Sequence, residues 1–276
     1  MPTCTVIIPC YNEAARLKCN VVRDYLGRSP ELSILFVDDG STDSTFEILE
    51  GLRREMPAQI GVLRMQRNAG KAEAVRTGLL RALTDQVRFV GYWDADLATP
   101  LEAIDDLLGV LVAQPNVDIV IGARVKLLGR RIERQPHRHY LGRVFATCAS
   151  LVLDLPVYDT QCGAKLFRVT PDLNRVVAEP FISRWIFDVE LLARFLRLDG
   201  TDHERARGMI YEFPLNDWQD VPGSKVRPKD FVRAIQELAA IQKKYRRGSQ
   251  RHSGVAVLEN EPGPGPAEET AVHRIL

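Results

Sequence analysis

Asp94 and Asp96 stand two residues apart in YWDADLAT (92–99), directly after the apolar run VRFVG and just before Pro100. Carboxylates at i and i+2 on an extended turn can both reach one hard divalent cation, Mg2+ or Mn2+. Its remaining positions would go to water and phosphate oxygens. Such an ion neutralises the charge that develops on a departing diphosphate. The bland alternative is a solvated turn. His137 and His139 have no metal-ligand spacing with these aspartates, so zinc is not expected.

Three further stretches offer groups that could gather around a nucleotide. In VDDGSTDST (37–45), Asp38 and Asp39 end an apolar run and Gly40 permits a sharp exit. A carboxylate there accepts from a base N–H or from ribose hydroxyls, or else Asp39 and Ser41 cap the next helix. In VIIPCYNEA (6–14), Pro9 ends the first run, and Tyr11, Asn12 and Glu13 form the turn that follows. Tyr11 would pack on a ring and Glu13 would take a polar partner. In RNAGKAEAVRTGL (67–79), Gly70 and Lys71 open a helix whose first amides, with the lysine, suit a phosphate. The G-x-x-x-x-G-K-[ST] loop of nucleoside triphosphatases is absent.

These groups need a frame that carries them to one edge. Continuous apolar runs at 3–9, 33–39, 60–65, 87–93 and 117–123 read as strands covered on both faces. Helical patterns at 13–26, 44–56, 70–84 and 101–113 lie between them, the second with Ser44 and Glu47 placed as a capping box. Strand–helix alternation predicts an α/β fold with a mostly parallel, doubly wound sheet and helices on both faces. Ligands would then sit at the carboxyl ends of the strands. Beyond a basic stretch at 124–143 come a helix at 144–153, a strand at 164–169, a helix at 185–198, a strand at 209–215 and a helix at 229–246. After Arg247 the chain turns polar and rich in Gly and Pro, and 248–276 is expected to be a disordered tail.

The bulk properties exclude several classes. A net charge of +1 over 276 residues gives no global field for nucleic acid. The longest apolar runs fall well short of the ~20 residues that cross a bilayer, and the first residues read as a strand rather than a signal peptide. Five cysteines with no C-x-x-C pair predict reduced thiols and a cytoplasmic protein.

In order and spacing, VIIPCYNEA, VDDGSTDST, NAGKAEAVRTG and DADLATP resemble the inverting glycosyltransferases of family two. GARVK, DTQCGAKLF (159–167), RWIFDVELL (184–192) and WQDVPGSKVRPKDF (218–231) look like dolichyl-phosphate glucosyltransferases and other polyprenyl-phosphate glycosyltransferases. Dolichyl-phosphate mannosyltransferases share the scaffold. The resemblance implies a GT-A nucleotide-diphosphosugar fold forming a single domain over 1–247, with a nucleotide-sugar-binding half at 1–124 and an acceptor half at 125–247.

It also implies roles. Asp39 would contact the base or ribose in a pocket lined by Pro9, Tyr11 and Glu13, with Lys71 near the phosphates. Asp94 and Asp96 would hold Mg2+ or Mn2+. Mannosyltransferase relatives carry a metal-touching Gln where this chain has Ala98, so a water would replace it. Arg124 and Arg143 match arginines near the donor and acceptor phosphates, and Gln161 and Cys162 would lie under the sugar. Asp188, with Glu190, occupies the region of the catalytic base. Read from the residues alone, Lys225 and Arg227 in GSKVRP either close over the diphosphate or form a plain basic loop.

The implied reaction moves a hexose from a nucleotide sugar, UDP-glucose before GDP-mannose, to a polyprenyl or dolichyl phosphate. The rivals are a soluble enzyme acting on a hydroxyl of a small molecule, with Asp188 as base, and a catalytically silent nucleotide-sugar-binding protein. A nucleotidyltransferase would need a Gly-rich, Arg-containing loop where PCYNEA stands. Peripheral contact with the cytoplasmic membrane face would come from 144–153 behind the basic 130–143, or from 231–246, unless both are core helices with solvated ends. The sequence leaves the oligomeric state open.

Overall fold

Apolar, β-branched runs lose their backbone hydrogen bonds to water only if they pair with one another. In the computed structural model, which describes residues 3–133, 136–198, 202–221 and 228–245, they do so as a seven-stranded sheet. Its strands are β1 (Cys4–Cys10), β2 (Leu32–Asp38), β3 (Ile60–Arg64), β4 (Phe89–Trp93), β5 (Ile119–Ala123), β7 (Ala164–Arg168) and β8 (Ile210–Pro214). Two short strands, β6 (Arg131–Glu133) and β9 (Asp217–Gln219), pair apart from it. The order across the large sheet is β3-β2-β1-β4-β7-β5-β8. β1 runs parallel to β2 and β4, with Val6 opposite Ile34 and Gly91, and β5 runs parallel to β8. β7 alone in this sheet runs the other way, antiparallel to both β4 and β5.

The helices are α1 (Cys19–Arg28), α2 (Thr45–Glu55), α3 (Lys71–Ala82), α4 (Ala103–Ala113), α5 (Pro136–Leu153), α6 (Pro171–Ala178), α7 (Phe187–Phe195), α8 (His203–Gly208) and α9 (Pro228–Tyr245). Side chains alternate across a strand, and the two faces build separate cores. Val6, Ile8, Ile34 and Phe36 pack with Leu26 of α1, Leu49 of α2 and Leu107 of α4. Ile7, Val37, Val90 and Tyr92 pack with Val75 of α3, Leu191 of α7 and Leu238 of α9. The α/β fold with a mostly parallel sheet and helices on both faces is therefore present. Residues 1–246 cluster as one unit, and the tail at 248–276 lies outside the described residues.

Several boundaries differ from the sequence reading. α1 begins at Cys19 rather than 13, because Asn12 takes φ +51° and the amides of Arg16 and Leu17 turn back onto the Glu13 carbonyl. Ser44 makes no capping bond at α2; Asp43 instead accepts from the Thr45 amide at 3.0 Å and its hydroxyl at 2.5 Å. α5 starts at Pro136, inside the basic stretch, and β6, β9, α6 and α8 were not expected.

Candidate functional site

The carboxyl ends of β1, β2 and β4 point to one edge, as their parallel registry requires. A pocket there is lined by Pro9, Tyr11, Glu13, Asp39, Lys71, Asp94 and Asp96, together with Arg16, Asn68 and Trp185. Four stretches far apart in the sequence thus meet in one cavity. Arg16, Asn68 and Trp185 are additions to the expected lining.

The two aspartates ending β2 divide their work. Asp38 is fully buried, accepts the Ser41 amide at 3.1 Å and faces Arg64 at 3.3 Å. Asp39 accepts the amide of Ala69 on one oxygen at 2.7 Å and that of Gly70 on the other at 2.9 Å. Burial pushes its pKa up against those two bonds. It therefore stitches β2 to the loop that opens α3, while still facing the pocket. Gly40, at φ +66°, lets the backbones meet: an added Cβ would come within 2.6 Å of the Arg67 carbonyl carbon.

Asp94 and Asp96 leave β4 with different partners. Lys71 Nζ lies 2.5 Å from Asp94 Oδ1, and Asp96 Oδ1 accepts the Ala98 amide at 3.0 Å. Burial, and then the neighbouring Asp94, push the Asp96 pKa up. Burial works against the Lys71 charge, but Asp94, Asp188 and Asp96 outweigh it and raise the lysine's pKa. Two carboxylates thus share one ammonium, and negative charge is left over. That donor set fits a hard divalent cation on Asp94 and Asp96. No group of three or more His, Cys, Asp or Glu suited to a metal occurs among the described residues, so the other ligands would be phosphate and water.

The remaining predicted residues form a neighbouring cluster outside that pocket lining. Arg124, at the end of β5, grips Asp159 with Nε at 2.6 Å and Nη2 at 2.8 Å, and its guanidinium lies 5.2 Å from the Trp218 ring. Arg143 on α5 donates to the Tyr158 carbonyl at 2.7 Å and stacks 3.7 Å over the Tyr158 ring. The Glu212 carboxylate accepts the amides of Tyr158 and Asp159 at 2.8 and 2.6 Å. Both arginines therefore brace the segment entering β7. Cys162 is fully buried in the core, where burial pushes its thiol up to about 11. In the same segment the buried atoms Gln161 Nε2 and Thr160 Oγ1 have no hydrogen-bond partner. Lys225 and Arg227 lie outside the described residues.

Asp188 requires a correction. A general base needs a lone pair facing the acceptor, but Asp188 is 4% exposed and outside the pocket lining. Its Oδ1 accepts from Lys165 Nζ at 2.5 Å and from the Tyr92 hydroxyl. Glu190 is likewise buried, accepting from the Ser183 amide at 2.9 Å and from Arg194. The acids of α7 point inward, Asp188 toward Lys165 and Tyr92 and Glu190 toward Ser183 and Arg194.

Lys165 was missed by sequence reasoning. It is fully buried and also donates to the carbonyls of Thr160 at 3.0 Å and Cys162 at 2.6 Å. The available signal was a lysine inside the apolar strand AKLFR.

The model of the family described as glycosyl transferase family 2 matches residues 5–173. A dolichyl-phosphate beta-glucosyltransferase of Trichomonas vaginalis is 30% identical over 258 residues, covering 88% of this chain and 72% of that protein. The human dolichyl-phosphate beta-glucosyltransferase is 29% identical, covering 90% and 77%. Among solved structures, the glucosyl-3-phosphoglycerate synthase of Mycobacterium tuberculosis, in complex with Mn2+, UDP-glucose and phosphoglyceric acid, superposes with a TM-score of 0.58. It is 19% identical and covers 88% of this chain and 80% of that one. On the matched family model and the relatives' coverage, the chain belongs to glycosyl transferase family 2 and is a glycosyltransferase.

Proposed function

We propose that the chain transfers glucose from UDP-glucose to a polyprenyl phosphate, with inversion at the anomeric carbon. The observation that carries this reading is the meeting of Asp39, Lys71, Asp94 and Asp96 in one pocket at the carboxyl edge. The names of the curated relatives support the lipid phosphate and the glucosyl group, and the Mn2+ and UDP-glucose bound by a fold neighbour support the donor class.

The base and ribose would lie between Tyr11 and Asp39, beside Pro9 and Glu13, with Gln161 on the sugar side. Lys71 would lie against the diphosphate. Asp94 and Asp96 would hold Mg2+ or Mn2+, which when bound supplies positive charge for the departing diphosphate. A phosphate acceptor is already anionic near neutral pH and attacks from the face opposite the leaving group. That reaction needs positioning and charge neutralisation more than a base, which accords with Asp188 being tied to Lys165. Arg124 and Arg143 act as positioning residues by bracing 158–159. The donor half at 1–124 and acceptor half at 125–247 then describe two sides of one site. We place the enzyme in the cytoplasm, where its five thiols stay reduced.

The test is transfer of labelled glucose by the purified chain, offered UDP-glucose or GDP-mannose and either a polyprenyl phosphate or 3-phosphoglycerate. The expected result is a glucolipid that requires a divalent ion. Asp96→Ala should lower turnover by about 10³-fold. Activity that survives chelation overturns the metal assignment, and transfer only to the soluble acceptor overturns the lipid.

A further inference from the structure

The outward side of α5 is apolar. From Tyr140 to Leu153 the helix holds one charged residue, Arg143, which is turned onto Tyr158. Tyr140 is 71% exposed, Val144 56% and Leu151 77%. Their spacing of four and seven residues puts them on one helical face. Leu141 is also exposed. The opposite side is committed to the core through Phe145, Ala149 and Leu153. A helix apolar on both sides has a second apolar environment waiting for it. No helix among the described residues is long and apolar enough to cross a membrane, so α5 can lie in an interface but not span it. Earlier in the chain, the turn after β5 leaves Leu127 and Leu128 exposed, the latter completely.

The charge around these residues identifies the partner. Residues 124–143 contain seven Lys and Arg against one acid, Glu133, a local charge of +6 in a chain whose total is +1. Lys126 and Arg131 are exposed, Arg131 with its guanidinium 3.3 Å from the Asp217 carboxylate. Apolar side chains among clustered cations match the acyl boundary and phosphate layer of an anionic bilayer. A second copy docked on this face about a nearby two-fold axis would bring two positive segments together, which an anionic surface would not.

We infer that α5 and the Leu127–Leu128 turn dock the protein on an anionic lipid surface, with Tyr140, Val144 and Leu151 entering the interface. The docking helix is coupled to the site: Arg143 holds Tyr158, whose neighbour Asp159 holds Arg124. For its link to acceptor delivery the inference rests on the lipid-acceptor reading, but docking is measured without donor or turnover.

The experiment is co-sedimentation of the full chain with phosphatidylcholine vesicles, with and without phosphatidylglycerol. The wild type should pellet with the anionic vesicles and be released by salt. Lys126→Gln and Arg131→Gln should each weaken partition about fivefold. Val144→Glu with Leu151→Glu should weaken it by more than about tenfold, with an unchanged circular dichroism spectrum. Leu127→Ser with Leu128→Ser, in a turn, tests the same face should the helix variant misfold. Wild type that stays in the supernatant, or apolar-face variants that pellet equally well, overturn the inference. So does a lipid-free dimer that Val144→Glu with Leu151→Glu splits, since the face then belongs to a second copy. Docking without transfer to polyprenyl phosphate would overturn the acceptor assignment and leave the surface standing.

Discussion

The Asp94 carboxylate occupies the space that a side chain at position 163 would need. A Cβ added to Gly163 would lie 1.9 Å from Asp94 Oδ2 and 2.1 Å from its Cγ. The backbones are joined as well, since the Asp94 amide donates to the Gly163 carbonyl at 3.0 Å. Gly163→Ala therefore has to expel the carboxylate from its seat beside Lys71. The expected outcome is a loss of at least about 10²-fold in kcat and weaker Mn2+ binding by calorimetry. A variant that keeps both would show that Asp94 acts from another position.

Lys165 and Asp188 form a buried ion pair 2.5 Å long. Removing one partner strands the other charge away from water, so Lys165→Met should cost about 3–5 kcal/mol in urea unfolding. Removing both, as Lys165→Met with Asp188→Leu, leaves no stranded charge, and the double variant should lose less than the two single losses combined. Additive losses would deny the coupling.

Glu237 on α9 ties that helix to the loop before α7. Burial would raise its pKa, but the Ser183 hydroxyl, the amides of Trp185 and Ile186, and Arg233 hold it below the ordinary value. A depressed carboxylate adds stability above its unfolded pKa and loses it as pH falls through its folded one. The excess stability of wild type over Glu237→Gln should thus be full near neutrality and shrink below about pH 4.3. Denaturant midpoints across that range check the sign; a gap that widens in acid would refute it.

Cys4, Cys10 and Cys162 are buried, whereas Cys19 and Cys148 are partly open. Burial lifts the Cys4 thiol to about 12 and that of Cys162 to about 11, so neither offers thiolate at pH 8. Alkylation of the native protein should mark Cys19 and Cys148 first, with the other three reacting only after unfolding. Early labelling at Cys162, read by peptide mass, would place its sulfur in the open site.

The first five strands were legible because each is a run rich in apolar residues, a pattern that needs no partner to be seen. The D-x-D turn and the residues at the tips of the first two strands were legible for a similar reason: once the sheet is parallel, its edge is fixed. The direction in which α7 points its acids was not legible. FDVELL has the alternation of a half-exposed helix, yet Asp188 and Glu190 face inward because Lys165 and Arg194 meet them there. Lys165 itself depends on β7 entering the sheet between β4 and β5, a pairing of segments more than forty residues apart. The start of α1 was misplaced because Asn12 adopts a left-handed turn, which asparagine tolerates but does not announce.

The reversed strand β7 has a consequence for the spacing of two turns at the carboxyl edge. Asp94 follows the end of β4, Arg124 follows the end of β5, and β7 lies hydrogen-bonded between them. Two strand spacings amount to about 10 Å, and no hinge can lengthen them without tearing the ladder. The distance from the Asp94 turn to the Arg124 turn is therefore cut to a fixed gauge. Any change in that distance has to come from the loops that overhang the sheet, while the sheet keeps the measure.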